Sequence, residues 1–245
     1  MLDLCLHCGG RRVEREVVEQ ATTPPGSPTW VPVPHHRVLE EVETALYGAG
    51  LSTLNQSHAL WGDGLRYFGL LEVSNGQSHD DYGLVIGLRN SHDKSFPASI
   101  ALGSGVFICD NLSFSGEVTI SRRHTRFIER DLPRVIHTAI GRLADLRGQQ
   151  DDRIEAYKHT KLNDQAAHDL VIRAMDASVL PVTQLPAVLS EWRQPRHAEF
   201  SADGRTAWRL FNAFTEAWKG RNLAALPRRS QALHGLFDAA CGLAV

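Results

Sequence analysis

The chain has no apolar run approaching the roughly 20 residues that a membrane-spanning helix needs. Its first ten residues lack the basic start and long apolar centre of a secretory leader. The expectation is a cytoplasmic protein with no membrane partner. Cysteine is scarce, 4 in 245 residues, and Cys5, Cys8, Cys109 and Cys241 are too scattered for a disulfide framework. There is no glycine-rich phosphate loop of either common type and no Gly-x-Ser-x-Gly elbow, which argues against nucleotide-binding and hydrolase folds built on those turns. Helix-length segments are also missing between the strand-like runs, so a doubly wound parallel sheet is disfavoured.

What is present is enough apolar material, 42% of the chain, to bury a full core. The net charge of −2 hides an asymmetry: residues 1–120 hold 7 Lys and Arg against 14 Asp and Glu, whereas residues 121–245 hold 19 against 14. The second half is therefore the better place for a polyanion, and the two halves carry complementary fields that could also bring subunits together.

The start, Cys5-Leu6-His7-Cys8-Gly9-Gly10, has the shape of a metal knuckle, in which two thiolates reach one ion across a tight turn. Zinc needs two further ligands, for which His35, His36 or a cysteine of a second subunit are the candidates; a reduced, metal-free pair is the alternative. A redox role is disfavoured because no strand precedes the pair and no βαβ pattern surrounds it. Residues 22–34 contain five prolines and read as an extended linker between this small segment, 1–21, and a main domain of residues 35–160.

The main domain begins with apolar residues at helical spacing over 35–47, stopped by Gly48 and Gly50. Strand-like runs follow at 58–61, 65–73, 82–88, 98–102, 106–109 and 118–120, separated by Gly-rich or polar turns. They predict an antiparallel meander, and the class is α+β with a mostly helical C-terminal half. Asp131 as cap and Pro133 in the first turn open a long helical tract with Val135, Ile136, Ala139, Ile140, Leu143, Leu146, Ile154 and Tyr157 as its apolar stripe. Residues 161–245 add helices packed on the main domain: one capped by Asn163 or Asp164, one by Thr183, one over 205–219 and one from Ser230 onward. Trp208, Phe211 and Trp218 recur at the spacing of a packed helix face rather than a base-stacking surface.

Two stretches invite a catalytic reading. Ser78-His79-Asp80 and Ser91-His92-Asp93 have the composition of a triad, but adjacent strand residues point to opposite faces, so they read as polar turns. His79, Asp80, Asp81 and Asp93 supply oxygen and nitrogen ligands for a metal-dependent nuclease without its spacing. The denser signal is basic. Arg122, Arg123, Arg126, Arg130 and Arg134, with Arg89 and Lys94 in the preceding turn, are the candidate nucleic-acid contacts, since guanidinium pairs match phosphate geometry.

Four stretches carry a family resemblance: Phe68-Gly69-Leu70; Leu88-Arg89-Asn90-Ser91-His92-Asp93-Lys94-Ser95; 106–112; and 206–216. From about Pro32 onward the chain resembles the domain-of-unknown-function family 932, phage- and plasmid-like proteins with no catalytic residues to carry over. The resemblance implies a mobile-element setting, in which DNA replication and recombination are common tasks. The strand-then-helix order is also similar, as a pattern, to RecT-like annealing proteins. Three readings follow: a non-enzymatic module binding nucleic acid, with single-stranded DNA favoured; a homo-oligomeric interaction protein whose arginines meet the acidic half; and a metal-dependent enzyme acting on nucleic acid.

Overall fold

The structure, a computed structural model, describes residues 10–74, 82–106, 111–113, 119–202, 204–218 and 226–243. Among these residues the centre is a seven-stranded sheet in which every pairing is antiparallel. The strands are β1 (Arg11–Val13), β2 (Ser52–Trp61), β3 (Arg66–Ser74), β4 (Tyr82–Ser91), β5 (Ala98–Val106), β6 (Asn111–Ser113) and β7 (Thr119–Arg122). β1 to β5 lie side by side in chain order, and β6 and β7 share the outer edge of β5. The α+β class and the meander expected from the sequence are what the fold contains.

The sheet is covered on both sides. One face presents Leu60, Tyr67, Leu71, Val73, Ile86, Leu88, Ile100 and Leu102 to α2 (His35–Gly48) and α3 (Ile128–Ile140), with Val38, Leu39, Val42, Ile128, Leu132 and Ile136 filling the gap. The other face, with Phe68, Leu70 and Val85, meets the C-terminal helices: α4 (Leu143–His159), α5 (Asp164–Asp176), α6 (Leu185–Arg193), α7 (Glu199–Ala202), α8 (Ala207–Trp218) and α9 (Leu226–Ala240). Trp192, Trp208, Phe211, Phe214 and Phe237 are buried in that second core, which is the packing role that the spacing in α8 predicts. Burial on both faces explains why β3 reads as an almost unbroken apolar run instead of an alternating one.

Several boundaries differ from expectation, each for a local reason. α3 starts at Ile128, so Asp131 does not cap it, and Pro133 sits inside the helix where its missing N–H leaves the Glu129 carbonyl without a helical donor. The expected continuous tract is two helices, α3 ending at Ile140 and α4 beginning at Leu143. Asn163 does cap α5, its Oδ1 accepting from the Ala166 N–H at 2.8 Å. Thr183 instead lies in a 3-10 turn, Val182–Gln184, ahead of α6.

Residues 10–21 and the proline-rich stretch pack on the main domain. β1 pairs with β2, and α1 (Arg15–Glu19) is tied to α2 by Arg15, whose Nη1 and Nη2 donate to the Glu43 carboxylate at 2.6 and 2.9 Å. Proline leaves an extended backbone whose remaining polar groups need partners from elsewhere. The Val31 N–H donates to the His124 carbonyl at 3.2 Å, the Val33 N–H to His124 Nδ1 at 3.1 Å, and the Val33 carbonyl accepts from Asn90 Nδ2 at 2.8 Å. Val33 itself is buried.

Candidate nucleic-acid interface

β7 delivers the arginines. Its last residue, Arg122, lies opposite Ala98 on the α2/α3 side of the sheet, and its guanidinium reaches across to the Asp131 carboxylate on α3. Arg130 Nε donates to the other oxygen of Asp131 at 2.9 Å. Arg130 and Arg122 together hold the Asp131 carboxyl below the usual carboxylate range. The buried acid is thus consumed internally.

Four arginines remain on the outside. Arg123, Arg126, Arg130 and Arg134 are exposed, and Arg123, Arg126 and Arg134 make no ion pair among the described residues. Between Arg126 and Arg130 stands Phe127, 42% exposed, with their guanidinium carbons 4.5 and 4.6 Å from its ring centroid. Such stacking holds the two long side chains extended at the surface and lowers the entropy cost of binding an anion.

The proline-rich stretch adds to this surface. Trp30 forms isolated bridges with Ser27 and with Thr125, which places it beside the start of α3. Lys94 Nζ sits 4.9 Å from the Trp30 ring centroid. Lys94 is exposed and adopts a left-handed backbone, φ 64°, at the tip of the turn after β4. The turn is fixed by Asp93, which accepts from Arg66 Nε at 2.6 Å and from the Ser95 N–H at 3.0 Å.

Arg89 is not part of this surface. Register pairs it with Phe68 and Ser99, which turns its side chain to the face opposite Arg122, where it is half-buried 5.4 Å from the Phe96 ring. Among the seven basic candidates, Arg123, Arg126, Arg130, Arg134 and Lys94 are exposed, Arg122 is partly withdrawn into its ion pair, and Arg89 lies elsewhere.

Under the Trp30 segment the fold buries a group of histidines. Asn90 Nδ2 donates to His35 Nδ1 at 3.0 Å, so the ring hydrogen is on Nε2, which meets the Gly64 carbonyl at 2.9 Å. His92 Nε2 donates to the Val33 carbonyl at 2.8 Å, and the Tyr67 hydroxyl lies 3.0 Å from His58 Nδ1. Burial lowers the pKa of His35 to about 3, with the nearby His92 acting in the same direction. Burial also lowers those of His58, His92 and His124. These rings are neutral at physiological pH.

For zinc, both nitrogens of His35 are already committed, whereas His36 Nδ1 is buried without a hydrogen-bond partner. Cys5 and Cys8 lie outside the described residues, as do His79, Asp80 and Asp81. Among the described residues no group of three or more His, Cys, Asp or Glu is placed to hold a metal ion. The Ser91-His92-Asp93 run does not converge: Ser91 Oγ donates to the Phe96 carbonyl at 2.7 Å, while His92 and Asp93 take the separate partners given above.

Half-buried Trp30 and exposed Phe127 are the residues of this region that the sequence reading passed over. Phe127 had a signal, an aromatic flanked by Arg126 and Arg130 one and three residues away. Trp30 had none, because its neighbours Lys94 and Thr125 are distant in the chain. No helix among the described residues is long and apolar enough to cross a membrane. No curated protein and no solved structure matches the chain. The family model for a domain of unknown function, DUF932, matches residues 26–234, a span that takes in the Trp30 segment, the whole meander from β2 onward and most of the C-terminal helices, and the chain belongs to that family.

Proposed function

We propose that this chain is a nucleic-acid-binding module of a mobile-element protein, acting without catalysis through the arginine surface at the start of α3. The observation that carries the reading is the sorting of charge there: Asp131 is turned inward and neutralised by Arg122 and Arg130, while Arg123, Arg126 and Arg134 face solvent unpaired among the described residues. Clustered unpaired guanidiniums repel one another and gain most from a ligand with regularly spaced negative charge, such as a phosphate backbone. Lys94 extends the surface toward Trp30.

The test is a triple charge reversal, Arg123→Glu, Arg126→Glu and Arg130→Glu, compared with the native chain in a salt series on single- and double-stranded DNA. The native chain is expected to bind with an affinity that falls steeply with salt, and the variant to lose binding while keeping its circular dichroism spectrum. A native chain that fails to bind either form at low salt rejects the reading. A variant that instead loses a native oligomeric state identifies the arginines as a subunit contact with the acidic half.

A further inference from the structure

We infer that Trp30 is a stacking platform for an unpaired nucleobase, with Lys94 as its movable cover, so that the arginine surface selects single-stranded over duplex nucleic acid; this rests on the nucleic-acid reading above. The Trp30 backbone is fixed by hydrogen bonds on both sides, and its ring lies 6.3 Å from the buried His124 ring. The Ser27 N–H donates to the Trp30 carbonyl at 2.7 Å, the Trp30 N–H donates back to Ser27 at 3.2 Å, and the Val31 N–H donates to His124. Gly26 makes this loop tight, since a Cβ there would come within 3.1 Å of the Trp30 carbonyl oxygen. Three residues further on, Val33 is anchored by Asn90, His92 and His124, three buried polar side chains from the sheet and the chain leaving it. Trp30, half-buried, is therefore preorganised, the condition under which stacking contributes affinity instead of being spent on ordering.

The ring also has the right neighbours. Its backbone is bridged to Thr125, the residue between Arg123 and Arg126 that precedes the latter, so phosphates held by the unpaired Arg123 and Arg126 would run past its edge. Phe127 cannot serve as the platform, because guanidiniums from both neighbours already lie against its ring. Against Trp30 lie the Lys94 ammonium, 4.9 Å from its ring centroid on an exposed side chain at a turn tip, and the buried His124 ring, tilted, at 6.3 Å. A left-handed backbone is uncommon for lysine, and here it aims the side chain back over the indole. An ammonium on a ring face is readily exchanged for a base, after which it can contact the adjoining phosphate. In a duplex both faces of each base are already stacked, so only an unpaired base can take this position.

The test compares Trp30→Leu with the native chain on a labelled oligothymidylate and on a duplex of equal length at one low salt concentration. Loss of one stacked base is expected to weaken single-strand binding at least about fivefold while leaving duplex binding and the salt slope unchanged. In parallel, a bromodeoxyuridine oligonucleotide is photo-crosslinked to the native chain and the modified peptide identified, which needs no variant to fold. A crosslink in the peptide containing Trp30 supports the platform. Crosslinking confined to other peptides, or a folded Trp30→Leu chain binding oligothymidylate as tightly as the native one, overturns it while leaving the arginine reading intact. Failure of the native chain to bind either probe removes both.

Discussion

His35 and His92 stack with ring centroids 4.0 Å apart and planes 5° from parallel. One is the first residue of α2 and the other follows β4, so this contact joins a helix end to a strand end. Two protonated rings cannot occupy such a stack without repulsion, and burial already disfavours either charge.

Acid should therefore unfold the protein early. The folded pKa values of His35, His58, His92 and His124 lie below the unfolded value near 6.5, so stability is complete above that pH and declines as the unfolded chain takes up protons below it. His35 alone accounts for about 2 kcal/mol lost by pH 5, given its folded pKa of about 3. Urea midpoints that stay constant between pH 7.5 and pH 5 would contradict this.

Asp131 restrains the surface it supports. Replacing it by Asn removes the charge that holds Arg122 and Arg130, so the folded state should melt at a lower temperature while polyanion affinity rises. The salt dependence should steepen by ~0.7 for each arginine released to a single strand. An unchanged slope would mean that neither arginine reaches phosphate.

Gly69 is required by Tyr67. The two lie on the same face of β3, and a Cβ at Gly69 would come within 2.3 Å of the Tyr67 hydroxyl oxygen and 3.5 Å of His58 Nδ1. Gly69→Ala must push a fully buried ring out of position, at a cost of ~1–3 kcal/mol in urea unfolding. Equal stability would show that the ring has room to move.

Phe211 holds the second core together. Its ring lies 4.8 Å from His234, 5.4 Å from Tyr157 and Phe237 and 6.0 Å from Trp208, joining α4, α8 and α9. Phe211→Ala should cost ~3–5 kcal/mol, read as a lower denaturation midpoint. No change in midpoint would refute its burial.

What the sequence revealed depended on range. α2, α5 and α8 are legible because apolar spacing and the Asn163 cap are written within one turn of helix. The strands are legible from their runs, but the direction of Arg89 is not, since it is set by register against Phe68 and Ser99. The proline-rich stretch looked like a spacer because the groups that dock it, Asn90, His92 and His124, lie 57 to 91 residues from Val33. Arg122 and Arg123 are neighbours with identical side chains, yet one faces Asp131 and the other solvent; which of the two turns inward is set by the pairing of β7 with β5.

Among the described residues, the sheet margins limit how copies of this chain can join. On one side β1 spans three residues, and beyond it β2 is interrupted by an irregularity between Thr53 and Asn55. On the other, the outermost positions are split between β6, with three residues, and β7, with four. Short or broken margins give an incoming strand few backbone groups to zip onto. A ring or filament of these subunits would therefore be built through helix surfaces and loops, leaving each sheet a closed unit that does not propagate into its neighbour.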